Sequence, residues 1–419
     1  MMGTLIRFEL KKMLGGRFFP IALGLLLAVN ILLNCGIPNY LLVREAVVSG
    51  TALGSETPET FTYWSYTAGN RQITAGKAER YGALSRLTAE EEAAFVAAME
   101  EKYGEDAFVP FRPDWPEEAL QPSGYFEGLP DSVVITAYRD LLDMDQQIEE
   151  ARADVIPAAQ RFGREALEDG DNYGIRRNLD IIRLYSEPQA RAAADVVGWN
   201  TFLLETPSTM LLVCLLLLLA CAGSVSGEND RQTWLLLHTA RYGKGRTLAA
   251  KYIAGAVTAV GLTVLFQLAA LGAVWFYGGL LGAAGPVTAI VELRLFPYVM
   301  TVWQYALLAL ACQAFAAVAL SVLLTTVSAL SPTGVVSYAA GTVLLGGCLL
   351  LAYFPPRAEL LSGPLALSVP LRYFDTYYTA DLFGFPVLWA LVQAALWCLL
   401  GVGCVVLAHR TYHRKRGAV

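Results

Sequence analysis

Few residues of this chain could perform acid–base or metal chemistry. Its three histidines, His238, His409 and His413, do not fall at the spacing of a catalytic or metal-binding set. The chain contains no Gly-x-x-x-x-Gly-Lys-Ser/Thr, no His-Glu-x-x-His and no Gly-x-Ser-x-Gly pattern, the motifs of many ATPases, metalloproteases and serine hydrolases. We therefore expect a protein that is not an enzyme, with no catalytic residues and no cofactor.

Two acidic groups, Glu90–Glu92 and residues 143–150, are the candidates for cation binding. Consecutive acids on a helix point in different directions, and neither group has the Asp-x-Asp-x-Asp-Gly spacing of a calcium loop. All seven cysteines lie within or at the end of apolar segments, so the long polar region 36–206 has none. We expect solvated helix faces there, with no metal site and no disulfide.

The strongest candidate for binding a partner is the segment 227–251. It begins with acidic Glu228, continues through the apolar run Trp234–Leu237, and ends in a basic stretch that reaches Lys251. A short helix here would present Trp234 and its leucine neighbours to another protein. In the alternative interpretation, the apolar run rests in the membrane interface and the basic residues only report orientation.

Apolar segments must position this loop, because 55% of the 419 residues are hydrophobic and only 16% are charged. A bilayer core about 30 Å thick requires about 20 apolar residues of helix. Six segments meet this length: 18–35, 207–226, 252–277, 298–327, 334–354 and 385–409. The sequence thus predicts an all-α polytopic membrane protein with six transmembrane helices.

Lysine and arginine near the segment ends predict the orientation. With six spans, 13 of these residues lie on one side, in the N-terminal, 227–251 and C-terminal segments. Basic residues accumulate on the cytoplasmic side, so we expect a multi-pass plasma-membrane protein with both termini cytoplasmic. The cytoplasmic parts are then 1–17, 227–251 and 410–419, and the external parts are 36–206, 278–297 and 355–384. A cleaved signal peptide at 1–35 is the weaker alternative, because its removal would break the even span count.

The region 36–206 has the pattern of a large, mainly helical extracytoplasmic domain between the first two spans. It holds 15 basic and 30 acidic residues, whereas the rest of the chain is net basic. Thr88-Ala-Glu-Glu predicts a capping box that opens a helix through about Tyr103. Apolar residues from Asp131 to Leu167 recur at three- and four-residue spacing, with Pro157 as the expected kink.

The N-terminal segment 1–17 has the pattern of an amphipathic helix on the inner membrane surface, and Gly15-Gly16 would permit a turn into the first span. Inside the spans charged residues are nearly absent, which favours a power source outside the chain. The polar exceptions are Asn30, Gln267, Gln304, Gln313 and Gln393. These could contact a substrate, or they could join neighbouring helices at about 0.6 kcal/mol each.

The segment 227–251, together with the six spans and the N-terminal Leu5–Lys12 stretch, resembles the permease subunit of a type-2 ABC transporter. The family pattern is an acid, Gly-Thr, a leucine pair, a Thr/Ser-Pro-x-x-Arg turn and a lysine in the next span. The residues that match in order are Glu228, Thr233, Leu235, Leu236, Thr239, Arg241, Arg246 and Lys251. Gln232 replaces the usual glycine, and the proline is missing.

The resemblance implies a separate ABC ATPase subunit, a second permease that is either identical or different, and a lipid bilayer as partners, with no nucleic acid. It also implies that 227–251 carries a coupling helix. The residues expected to couple the chain to the ATPase are Glu228, Thr233, Trp234, Leu235, Leu236, Leu237, Arg241 and Arg246. Of these, Glu228 would orient the coupling segment, and Trp234 and Leu235–Leu237 would fill an apolar cleft on the ATPase.

The resemblance predicts the function of an ABC-transporter permease that exports its substrate, with ATP hydrolysis in a partner chain. The alternative is a membrane sensor or assembly protein whose external domain binds a ligand or protein. The sequence leaves the substrate class open.

Overall fold

The computed structural model describes residues 2–37, 39–41, 44, 62–84, 87–108, 116, 119, 130–187, 196–230, 246–353, 363–369 and 371–414. Most of these residues are helical, and one short β-hairpin joins strands β1 (Thr379–Leu382) and β2 (Phe385–Leu388). The helices are α1 (Met2–Leu14), α2 (Phe18–Asn34), α3 (Tyr63–Leu84), α4 (Ala89–Tyr103), α5 (Asp131–Ala153), α6 (Val155–Glu168), α7 (Asn172–Ser186), α8 (Val197–Leu204), α9 (Thr206–Cys221), α10 (Ser226–Asp230), α11 (Arg246–Gly278), α12 (Val302–Leu330), α13 (Gly334–Tyr353), α14 (Leu371–Phe374) and α15 (Trp389–Arg414).

Five helical segments among the described residues are long and apolar enough to cross a membrane: α9 with α10, α11, α12, α13 and α15. Helices α1 and α2 pass the same test together as a pair bent by 70°, and the count is six if this pair forms one span. The mostly helical, multi-span character predicted from the sequence is confirmed by these segments.

The bend between α1 and α2 lies at Gly15 and Gly16, where the sequence predicts a turn. A Cβ atom at Gly15 would overlap the backbone carbonyl oxygen of Lys11, whereas a Cβ atom at Gly16 would meet open space. Of these two positions, only position 15 therefore requires glycine to avoid a clash. The tight turn folds α1 back against the bundle.

Helix α11 lies in the middle of the bundle and contacts α1, α2, α8, α9 and α12. The Asn30 side chain, which is fully buried, donates to the Phe266 carbonyl oxygen at 2.8 Å and accepts from the Thr209 hydroxyl at 2.9 Å. This one amide therefore joins α2, α9 and α11, as interhelical polar side chains do in membranes.

A second, smaller core joins α4 and α5. The predicted capping box is confirmed, because the Thr88 hydroxyl accepts from the Glu91 N–H at 3.3 Å and the Glu91 carboxylate accepts from the Thr88 N–H at 2.8 Å. The Thr88 N–H bond also lowers the pKa of the Glu91 carboxyl. Phe95 and Met99 are buried in one cluster with residues of α5, and the Phe95 ring packs edge-on against Tyr138.

Helices α6 and α7 form an antiparallel hairpin. The chain breaks between α5 and α6 at Asp154, three residues before the expected kink at Pro157. A proline ring clashes with the carbonyl four residues earlier, which is that of Ala153, so α5 ends there. Pro157 then occupies the first turn of α6, where a missing N–H leaves no intrahelical bond unmade.

Helix α7 is attached to loops at the end of the bundle remote from α1. Tyr173 donates its hydroxyl to the Thr379 carbonyl oxygen at 3.0 Å, and Tyr377 donates to the Asp180 carboxylate at 3.0 Å. The Tyr185 hydroxyl donates to the Leu295 carbonyl oxygen. The α6–α7 hairpin and the loops 279–301 and 375–388 therefore share one end of the molecule.

The last long helix, α15, begins at Trp389, four residues after the start predicted at Phe385. Residues 385–388 pair with 379–382 in the β-hairpin instead. Its turn contains Phe383, which has φ of 54° and is 98% exposed. The backbone groups of residues 385–388 are paired across the hairpin and therefore do not form the first turn of α15.

Candidate functional site

Helix α1 buries an acidic residue in its packed face. Glu9 is 2% exposed and Met13 is 8% exposed, whereas Phe8 is 62% exposed. Glu9 and Met13 are four residues apart, so they lie on one helix face. That face contacts α11, and α1 therefore brings a carboxylate into the bundle.

The short helix α10 is held against α12 by a serine. The Ser328 hydroxyl accepts from the backbone N–H groups of Val225 and Ser226, at 3.0 Å and 3.1 Å. These N–H groups follow the end of α9, so the serine satisfies donors at the start of a new helical turn. The arrangement directs Glu228, which is 3% exposed, toward α11.

Lys251 lies near the start of α11 and meets three oxygen acceptors. Its ammonium donates to Glu9 Oε2 at 3.0 Å, to Glu228 Oε1 at 2.6 Å and to the Ser224 carbonyl oxygen at 2.7 Å. Lys12 on α1 also donates to Glu228 Oε1. An ammonium has three donors, so this geometry uses all of them.

These four side chains, Glu9, Lys12, Glu228 and Lys251, form what we name the ion cluster. Two lysines balance two carboxylates, and the Lys251 side chain is 1% exposed. Ionisable side chains are expensive inside a membrane-type bundle unless they are paired, and loss of one partner leaves a buried uncompensated charge. The ion cluster thus ties α1, α10 and α11 together with a strong preference for one arrangement.

The end of α10 is also joined to the turn between α12 and α13. The Gly334 N–H donates to Asp230 Oδ2 at 2.8 Å, and the Asn229 amide donates to the Ser331 carbonyl oxygen at 3.4 Å. A Cβ atom at Gly334 would lie 2.7 Å from Asp230 Oδ2, so this close approach depends on glycine. Residues 228–230 therefore contact α1, α11, α13 and the turn after α12 immediately before position 231.

A cavity of about 620 Å³ lies beside the ion cluster, between α1, α9 and α13. Glu9, Lys12 and Glu228 form part of its wall, and the remaining lining is mostly apolar.

The described structure includes two of the eight residues expected to couple the chain to an ATPase. Glu228 lies in the ion cluster, and Arg246 is the first residue of α11. The other six lie outside the described residues: Thr233, Trp234, Leu235, Leu236, Leu237 and Arg241. The described residues on both sides of the segment 231–245 are thus anchored in the bundle.

Sequence reasoning matched Glu228 and Lys251 to one motif without placing them in contact, and it did not select Glu9 or Lys12 as their partners. Glu9 is separated from Lys251 by 242 positions. The available signal was local: Glu9 shares a helix face with apolar Met13, where an acid is unfavourable without a partner.

Comparison of the chain with protein-family models, curated proteins and solved structures finds no match.

Proposed function

We propose that this chain is the permease subunit of a type-2 ABC transporter and that it exports a substrate with energy from a separate ATPase subunit. The observation that supports the proposal is the ion cluster at the base of the loop 231–245. It connects the segment that resembles a coupling helix to α1 and α11 through buried, charge-assisted hydrogen bonds, which are stronger than neutral ones.

In the proposal, α2 is the first of six spans, α1 lies on the cytoplasmic membrane surface, and both termini are cytoplasmic. The arrangement of the helix ends supports this topology. Val225, Leu248 and Tyr412 belong to one buried cluster, so the end of α15 lies beside the starts of α10 and α11. The basic ends then face the cytoplasm of a plasma-membrane protein, and 36–206 is the external domain.

The proposed mechanism uses the loop 231–245 as the contact for the ATPase. Closure of two ATPase subunits pushes this loop, and Glu228 transmits the displacement to Lys251 on α11 and, through Lys251, to Glu9 on α1. Because the cluster resists separation, the three helices move together. Their movement changes the packing against a second permease and opens a route for the substrate.

The experiment purifies the chain in mild detergent after co-expression with the ATPase encoded by a neighbouring gene. Trp234→Glu should abolish recovery of the ATPase, because loss of an aromatic interface anchor costs about 2 kcal/mol or more, which weakens binding about 30-fold. Phe383→Glu is the matched control, since Phe383 is 98% exposed at the remote end of the molecule.

A well-folded Trp234→Glu variant that recovers as much ATPase as Phe383→Glu contradicts the proposal. Glu228→Gln separates binding from transmission. It removes one carboxylate of the ion cluster and should lower stability, so the comparison uses protein that remains folded; that protein should retain the ATPase and lose substrate-stimulated ATP hydrolysis. Recovery of a kinase in place of an ATPase would instead favour the sensor function.

A further inference from the structure

A cavity of about 200 Å³ lies between α8, α11 and α12. Its mouth is formed by Leu268 and Leu307, which are 60% and 55% exposed. Both leucines lie on outer faces of membrane-type helices, so the mouth opens toward the surroundings of the bundle. The lining is almost entirely apolar, which makes its few polar atoms conspicuous.

Three buried polar side chains that line this cavity have atoms without hydrogen-bond partners in the described part of the chain. Both amide atoms of Gln267, the Oε1 atom of Gln313 and the Nε1 atom of Trp199 are unpaired. The three residues are 5%, 2% and 8% exposed. We name this site the glutamine pocket. Asn30 is different, because its amide joins three helices.

The two glutamines lie deep in the bundle. Gln267 is eleven residues before the end of α11, and Gln313 is eleven residues after the start of α12. At 1.5 Å per residue both lie about 16 Å from those helix ends, which is near the middle of a hydrocarbon layer about 30 Å thick. Water is scarce at that depth, and each unsatisfied polar group costs several kcal/mol there.

The unpaired atoms define the ligand that would complement them. Gln267 Nε2 and Trp199 Nε1 are donors, and the Oε1 atoms of Gln267 and Gln313 are acceptors. A carboxamide has both a carbonyl acceptor and an N–H donor, so it can pair with both sets at once. A cavity of about 150 Å³ holds benzene; the glutamine pocket therefore accommodates a carboxamide and a few methylene groups.

We propose that the glutamine pocket binds a single-chain lipid amide that enters from the bilayer. Its carboxamide pairs with Gln267, Gln313 and Trp199, and its aliphatic chain leaves between Leu268 and Leu307. The site is independent of the permease proposal, because it rests only on the pocket and its unpaired atoms. It assigns a ligand class to the protein, whereas the ion cluster concerns only the link between helices.

The test uses tryptophan fluorescence of the full chain in phosphatidylcholine nanodiscs. Trp303 lines the pocket and is 46% exposed, so a brominated chain held there quenches it. The probes are 9,10-dibromostearamide and the matching hydrocarbon, 9,10-dibromooctadecane. The amide should quench at a concentration at least ten-fold lower than the hydrocarbon, and Trp303→Phe should remove most of the difference.

In the double variant Gln267→Leu/Gln313→Leu, the two probes should quench the tryptophan fluorescence at equal concentrations. It should also fold, because leucine replaces buried unpaired amides by apolar groups. Gln393→Leu is the matched control: Gln393 is 1% exposed with an unpaired amide, but it does not line the pocket, so this variant should retain the preference for the amide.

Equal quenching by the two probes in the unmodified protein overturns the proposal, as expected if only water occupies the pocket. Absence of quenching by either probe also overturns it, because the mouth is then covered. Retention of the amide preference in the double variant also overturns the proposal. The comparison of probes on the unmodified protein stays decisive even if the double variant does not fold.

Discussion

Replacement of Lys251 by methionine should destabilise the fold strongly, because Lys251 lies between two buried carboxylates. Its ammonium is 3.0 Å from Glu9 and 2.6 Å from Glu228. Lys12 and Lys251 together balance these two acids, so Lys251→Met leaves one negative charge in excess in a buried site. Removal of one partner from a buried ion pair costs about 3–5 kcal/mol, and we expect a loss of that order in the free energy of unfolding.

A second substitution tests whether charge balance is the cause. Lys251→Met with Glu9→Gln leaves Lys12 paired with Glu228 and restores neutrality. Coupling between contacting residues is about 0.5–3 kcal/mol, so the double variant should be more stable than Lys251→Met alone. Arg139→Met is the surface control, because its pair with Asp140 at 3.4 Å is partly exposed and contributes about 0–1 kcal/mol.

The assay is unfolding in mixed micelles as the fraction of dodecyl sulfate rises, followed by tryptophan fluorescence for each variant. Two results would refute the reasoning. One is a Lys251→Met variant as stable as Arg139→Met. The other is a double variant whose loss in the free energy of unfolding equals the sum of the losses in Lys251→Met alone and Glu9→Gln alone.

Three further predictions concern other parts of the molecule. Gly15→Ala should lower the free energy of unfolding by about 1–3 kcal/mol through overlap with a backbone carbonyl, whereas Gly16→Ala should leave the melting temperature unchanged because a Cβ atom there meets nothing. Burial raises the pKa of Tyr185 from its ordinary value of 10 to about 12. The unfolded chain therefore loses this proton at a lower pH than the folded chain does. The contribution of Tyr185 to stability should be constant below pH 10 and fall as pH rises from 10 to 12. Tyr185→Phe should flatten that fall in a pH series of unfolding measurements. In the proposed topology, a membrane-impermeant maleimide added to intact cells should label Leu167→Cys and not Arg7→Cys, and the reverse pattern would contradict the orientation.

Local features of this chain follow from sequence alone. Long apolar segments such as 207–226 predict membrane-type helices, because about 20 apolar residues of helix match the thickness of a bilayer core. The capping box of Thr88 and Glu91 and the turn at Gly15 are also determined within a few residues. In each case the interacting groups are neighbours along the chain, so spacing is sufficient to place them.

Contacts between distant elements required the tertiary structure. Glu9 and Lys251 are both visible in the sequence, yet only the fold of α1 against α11 brings them within 3.0 Å. Asn30 and Gln267 are both amides in apolar helices; packing gives Asn30 two partners on other helices and leaves Gln267 facing a cavity. Helical periodicity determines which face a residue occupies, but the neighbour of that face is decided by how the helices assemble, because hydrogen bonds and ion pairs act over only a few ångströms.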